Sequence, residues 1–148
     1  MRRVLKHGTG AAAVVLAVAL AGCGSTSPKA KYVAKLNAMC EDFARREQRI
    51  GTPSTPADLR ARGDRIATAY EQAIVRPLER LTAPPEIAQQ ATRLRDVARR
   101  QRDVLRALAA AGKTGDVQKV QRLVVVNQQL NTQAAQVAKN LKADSCAS

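Results

Sequence analysis

Residues 120–141 read VQRLVVVNQQLNTQAAQVAKNL, and within them Val120, Leu123, Asn127, Leu130, Ala134, Val137 and Leu141 recur at alternating steps of three and four. That spacing puts them on one stripe of an α-helix and suits packing against a neighbour at a shallow angle. The Val124-Val125-Val126 run favours a strand locally, but the surrounding helical period overrides it. Asn127 stands where an apolar residue is expected. A buried amide there can contact a ligand, although it more often fixes the register between helices.

The same period extends through the preceding chain. Gly112-Lys113-Thr114-Gly115-Asp116 reads as a turn, and before it Ile87, Ala91, Leu94, Ala98, Leu105 and Leu108 hold one apolar side. Thr82-Ala83-Pro84-Pro85-Glu86 is the break that opens that helix. Earlier, Thr55-Pro56-Ala57-Asp58 combines a cap, a first-turn proline and a first-turn acid. Leu59, Ile66, Tyr70, Ala73 and Ile74 follow as an apolar face, which Pro77 should kink or end. Ser27-Pro28 opens the first helix, with Tyr32, Leu36, Met39 or Cys40, and Phe43 on one side and Gly51 and Pro53 at its close. No segment reads as a strand. Four helices with short connections predict an all-α antiparallel four-helix bundle, up-down-up-down, over residues 29–148.

The N-terminus carries a different pattern. Behind Met1-Arg2-Arg3, an apolar run closes on Leu20-Ala21-Gly22-Cys23. The run from Gly10 to Ala21 is about a dozen residues, too short for a bilayer span of roughly 20. A basic start, an apolar core and small residues before a cleavage point make a secretion signal. With cysteine at that point it looks like a lipobox, in which Cys23 receives a diacylglyceryl group. Residues 1–22 are then a cleaved lipoprotein signal peptide, and 23–28 hold the lipidated cysteine and a short tether. The expected location is the extracytoplasmic face of the cell membrane.

Cleavage narrows the chemistry. It discards the single histidine, His7, and with it histidine-based triads, histidine-ligated zinc and histidine-coordinated haem. No cofactor, metal site or catalytic residue is expected, and the chain reads as non-enzymatic. Loss of Arg2, Arg3 and Lys6 from 25 basic residues leaves 22 against 12 acidic ones, a formal +10. That balance favours anionic partners such as phospholipid head groups or phosphate-bearing wall polymers. Nucleic acid is not expected, because the chain is exported and an aromatic content of 2% leaves little to stack on bases.

With Cys23 committed to lipid, Cys40 and Cys146 form an even pair in an oxidising compartment. The expected reading is a structural disulfide. The alternative, a redox-active or metal-binding thiol pair, usually brings its cysteines close in sequence, as in C-x-x-C. Cys40 falls roughly 18 Å along a first helix that begins near Pro28. To reach it, either the C-terminal tail folds back or Lys29–Leu36 project below the bundle as a stalk.

Arg95, Arg99, Arg102 and Arg106 fall on one helical stripe, widened by Arg93 and Arg100. Guanidinium groups pair bidentately with phosphate, so the stripe is a possible anion-binding face. Asp96 and Asp103 sit among them at spacings that make ordinary intrahelical pairs, and a solvated face is the simpler expectation. Gly112-Lys113-Thr114 resembles the tail of a phosphate-binding P-loop. Ala107 occupies the place of its first glycine, and a helix rather than a strand precedes it, which discards the match.

Taken together, the residues resemble a broad group of small helical lipoproteins of actinobacteria. The matching parts are Leu20–Cys23, the stretch from Tyr32-Val33 to Met39-Cys40, Ala83-Pro84-Pro85, and Leu141-Lys142 followed by Cys146. The resemblance implies a helical domain with two cysteines paired across its ends and no catalytic residue. The expected function is that of a membrane-anchored, non-enzymatic binding or accessory module. Its partner would be another envelope protein or an anionic wall polymer. The alternative is a carrier of a small apolar ligand held between the helices, which requires a sizeable cavity.

Overall fold

The computed structural model describes residues 27–147, and every regular element among them is helical. The expected signal segment 1–22, the expected lipidation site Cys23 and the tether as far as Thr26 lie outside the described residues.

Helix α1 spans Pro28–Ile50. Ser27 Oγ accepts the Ala30 N–H at 3.1 Å, and Pro28 occupies the first turn. Gly51 ends the helix at a φ of 83°, a conformation that suits glycine. Helix α2 (Pro56–Tyr70) opens on a reciprocal capping box. Thr55 Oγ1 accepts the Asp58 N–H at 3.1 Å, while Asp58 Oδ2 accepts the Thr55 N–H at 3.2 Å. Hydrogen bonds from Thr55 and Ser54 hold the Asp58 carboxyl below its ordinary value of 3.8. The folded pKa is depressed, so the stabilisation is complete above the ordinary value and lost as pH falls through the lowered one. The stability gap between the native chain and Asp58→Asn should therefore shrink as acid titrations pass below about pH 4. Denaturant midpoints measured across that range check it.

Pro77 neither ends this helix nor breaks it outright. The chain continues through a π-helical turn, Glu71–Val75, into α3 (Arg76–Arg80). Within the turn the Arg76 N–H reaches back to the Glu71 carbonyl, a five-residue step. Widening the helix just before a proline relieves the clash of its ring with the preceding turn. The extra residue re-aims the side chains there: Ala73 and Val75 are buried, and the Glu71 carboxylate turns towards the next helix.

A 3-10 turn (Pro85–Ile87) leads into α4 (Ala88–Thr114), and α5 covers Val117–Leu141. The expected turn at Gly112 is corrected here: α4 runs through Gly112 and stops at Gly115, which is left-handed at φ 72°. The Asp116 N–H bonds the Ala111 carbonyl at 3.1 Å, completing a Schellman-type stop. Gly112 is instead buried against α2. A Cβ on it would lie 2.8 Å from Leu59 Cβ, and one on Gly63 would lie 2.9 Å from Ala109 Cα. These two glycines set how closely α2 and α4 approach.

Where α2–α3 meets α4, the paired residues descend along one as they ascend along the other. Between α2–α3 and α4 the pairs are Leu59 with Gly112, Gly63 with Ala109, Tyr70 with Gln101, and Leu78 with Arg95. Between α1 and α2, Phe43 stacks edge-on against Tyr70 with ring centres 5.2 Å apart. The main core joins Tyr32 and Leu36 of α1 to Leu78, Ala91, Leu94, Ala138, Leu141 and Ala143. A smaller core of Leu108, Ala111 and Val120 lies at the α4–α5 turn.

Candidate functional site

Helix α5 packs along α4, whereas α1 packs on α2, on the π turn and on the C-terminal 3-10 turn Asp144–Cys146. Direct packing between α1 and α5 is slight. A four-helix arrangement that leaves its first and last helices apart has an open seam, and here the seam holds a cavity of about 420 Å³. Met39, Phe43, Ile66, Ile74, Leu105 and Ala134 supply much of its apolar wall. The volume lies within the range typical of small-molecule sites, about 300–1,000 Å³.

One end of the seam is closed covalently. Cys40 and Cys146 form a disulfide with Cα atoms 5.3 Å apart. Of the two routes open to the tail, the chain takes the fold-back. Lys142 adopts a left-handed φ of 63°, Ala143 is fully buried, and the 3-10 turn runs back along α1. The Ser145 N–H donates to Asn37 Oδ1 at 3.1 Å, and Ser145 Oγ meets Glu41 Oε1 at 3.0 Å. Lys29–Leu36 form no stalk, because Tyr32 and Leu36 belong to the core.

The polar groups of the cavity form a ladder. The Tyr70 hydroxyl donates to Gln101 Oε1 at 2.8 Å, and Gln101 Nε2 donates to Asn131 Oδ1. Burial pushes the Tyr70 phenol well above its usual value, so it stays protonated and remains a donor. Asn127 Oδ1 is buried and, among the described residues, has no hydrogen-bond partner. An unpaired buried acceptor costs about 1–3 kcal/mol. Asn127→Leu, which keeps the branched shape and removes the acceptor, should therefore raise stability by about 1 kcal/mol in urea unfolding. Among the described residues, Glu47 is the one charged side chain in the lining, and neither lysine nor arginine contributes to it.

Gln101 escaped the sequence reading although the signal was there. It falls between Ala98 and Leu105 on the steps that carry Leu94 to Leu108, so it occupies a core position of α4. Polar residues at such positions mark buried networks as readily as surface ones. Glu71 gave no signal of its own, because its orientation follows from the π turn.

The arginine stripe lies against the π turn and α3. Arg95 donates to the carbonyls of Leu78 (3.3 Å) and Leu81 (2.7 Å), satisfying the end of α3. Arg99 meets Glu79 at 2.9 Å, and Arg102 meets Asp103 at 2.9 Å. Glu71 lies within ion-pair reach of Arg76, Arg102 and Arg106, at 3.3, 3.8 and 3.4 Å. The hydrogen bond that Arg102 donates to the Asp103 carboxylate holds its guanidinium above the usual pKa. Each of the four stripe arginines thus has an acceptor within the chain.

Among the described residues, no group of three or more His, Cys, Asp or Glu side chains is placed to hold a metal ion. No helix among them is long and apolar enough to cross a membrane. Comparison with protein-family models, curated proteins and solved structures gives no significant match to the chain.

Proposed function

We propose that this chain is a lipid-anchored, extracytoplasmic helical module that holds a small apolar ligand in the cleft between α1 and α5. The observation that carries the reading is the cavity itself, an apolar space of about 420 Å³ with a polar ladder on its wall. The descending-against-ascending contacts support an up-down-up-down bundle whose first and last helices part to admit the ligand. The lipobox Leu20–Cys23 supports attachment through Cys23, and the resemblance to small actinobacterial lipoproteins points the same way. The module is non-enzymatic in this reading.

A second reading rests on the formal +10 charge, which favours an anionic wall polymer or an acidic envelope protein. The stripe that would serve it already has acceptors in Glu71, Glu79 and Asp103. The cleft is therefore the better-supported site.

Two measurements on the full chain in its host membrane test the proposal. Metabolic labelling with an alkynyl fatty acid should tag the native chain and leave Cys23→Ala untagged. Organic extraction of the purified chain should release a small apolar molecule that is missing from Ala134→Phe, whose ring fills the cleft. An unlabelled native chain would sink the anchor, and identical extracts would sink the carrier.

A further inference from the structure

We propose that the end of the bundle nearest Cys23 docks on the head groups of anionic phospholipids, through Lys29, Lys31 and Lys35 of α1 together with Arg80, Arg93, Lys139 and Lys142. The proposal rests on the anchored reading and adds the surface that meets the bilayer.

Chain order places this end beside the anchor. Five residues separate Cys23 from Pro28, the first residue of α1, and an extended chain covers at most about 3.6 Å per residue. The start of α1 is therefore held within about 18 Å of the acylated cysteine. The 23 residues of α1 carry its other end roughly 35 Å away from that start. The core shows which other segments share the near end. Tyr32 packs in one cluster with Leu78, Ile87, Ala91, Leu141 and Ala143. The end of α3, the start of α4 and the end of α5 thus surround the start of α1.

Charge marks the same end. Lys31, Lys35, Arg80, Arg93, Lys139 and Lys142 are exposed, and Lys29 is half-buried. Among the described residues, none of the seven makes an ion pair or a side-chain hydrogen bond. The acids nearby are Glu86 and Asp144, while the Glu79 carboxylate is taken up by Arg99. Five of the seven lysines that follow Cys23 lie at this end; the other two, Lys113 and Lys119, flank the α4–α5 turn. Towards that opposite end the bases are matched: Arg46 with Asp42, Arg62 with Asp58, and Lys113 with Asp64.

Unmatched bases gathered at one end repel one another, and the isolated domain gains nothing from them. An anionic surface turns the repulsion into attraction, at roughly five-fold in affinity for each base near it. Lys29 to Lys35 span about 9 Å of helix, close to the Debye length at physiological salt, so they reach such a surface together. Lysine suits the task, because its ammonium is a point charge on a flexible stem and needs no fixed geometry from fluid head groups. Two acyl chains hold a protein on a membrane by themselves. The bases therefore set how the domain stands, end-on with its helices rising from the bilayer.

The test uses the native lipidated chain in vesicles of phosphatidylcholine, with or without phosphatidylglycerol. A neutral acylating reagent is applied briefly, and modified lysines are read by peptide mass spectrometry against Lys119 as internal reference. With phosphatidylglycerol present, Lys31, Lys35, Lys139 and Lys142 should react at least about three-fold more slowly than on phosphatidylcholine alone. Salt at about 1 M, where the Debye length falls to about 3 Å, should remove the difference. Arg80→Glu combined with Arg93→Glu leaves every lysine reporter in place. It should weaken docking by more than about twenty-five-fold and return the lysines to their reactivity on phosphatidylcholine. Both arginines are exposed and unpaired, and circular dichroism with an intact disulfide verifies the fold of the variant.

Equal reactivity on the two kinds of vesicle overturns the docking. It leaves the anchor standing, provided that the native chain floats with phosphatidylcholine vesicles and Cys23→Ala does not. Protection that survives in the Arg80, Arg93 variant also overturns the docking, since the tether alone would then bring the lysines near the surface. A native chain that fails to float with phosphatidylcholine vesicles overturns anchor and docking together.

Discussion

Replacing Cys40 and Cys146 together with alanine should lower the melting temperature by more than about 10 °C. The bridge joins residues 106 apart in sequence. In the chain-entropy model, closing a loop of about that size stabilises a fold by up to about 4.7 kcal/mol. Most of that arises in the unfolded chain, whose freedom the bridge restricts. The native state adds a local effect. Because α1 and α5 pack little on each other, the disulfide and the hydrogen bonds of Ser145 tie α1 to the tail that follows α5. Leu141 and Ala143 are buried in the core, an apolar contribution that does not depend on the sulfur–sulfur bond, so the double variant should still fold. Scanning calorimetry of the native chain, with and without reductant, and of the double variant measures the effect. A shift under about 3 °C would remove the bridge from the list of stabilisers. Hydrogen exchange should quicken around Leu36–Phe43 when the bridge is reduced, since that wall of the cleft then moves more freely.

Gly63→Ala and Gly112→Ala should each destabilise the fold by about 1–3 kcal/mol, the usual cost of overpacking. The sign is the informative part. In an exposed helix interior, glycine to alanine stabilises by roughly 1 kcal/mol through helix propensity. Here the added methyl of Gly63 would sit 2.9 Å from the backbone at Ala109. That of Gly112 would sit 2.8 Å from Leu59 Cβ and 3.1 Å from the Leu59 carbonyl carbon. Backbone cannot rotate away as a long side chain can, so α2 and α4 must separate. Separation would loosen the Tyr70–Gln101 bond farther along the same seam. Both substitutions strain one interface, so their effects should add less than fully once the first has opened it. Urea unfolding of the single and double variants is the check, and a gain in stability from either would overturn the close-packed seam.

These glycines show where a local reading stops. Gly112-Lys113-Thr114-Gly115-Asp116 has the composition of a turn, and its second glycine is indeed the left-handed stop. Whether the first glycine breaks a helix or lets another helix approach depends on a partner some fifty residues away. Pro77 is similar. Its conflict with the helix was legible, but continuation through a π turn depends on the burial of Ala73 and Val75. The arginine stripe was legible as a stripe. Its engagement with Glu71 and Glu79 was not, because those carboxylates are placed by the π turn and by α3. Of the cleft, Asn127 was visible as an amide on an apolar stripe. Gln101 could have been found by extending the steps of α4.

What local chemistry settles could be read directly from the chain. The alternating steps from Val120 to Leu141 specify a helix, Ser27 and Thr55 begin two others through their own hydroxyls, and setting Cys23 aside as the expected lipidation site leaves Cys40 and Cys146 as the expected pair. Such features depend on residues within a turn or two, or on simple counting. The site belongs to the other kind. That α1 and α5 part, that the tail reverses at Lys142, and that Asn127 Oδ1 is buried without a partner among the described residues all follow from how distant surfaces fill space. Periodicity identifies which face of a helix is buried. It carries no information on how completely the opposing faces meet, and the candidate site lies in the space they leave.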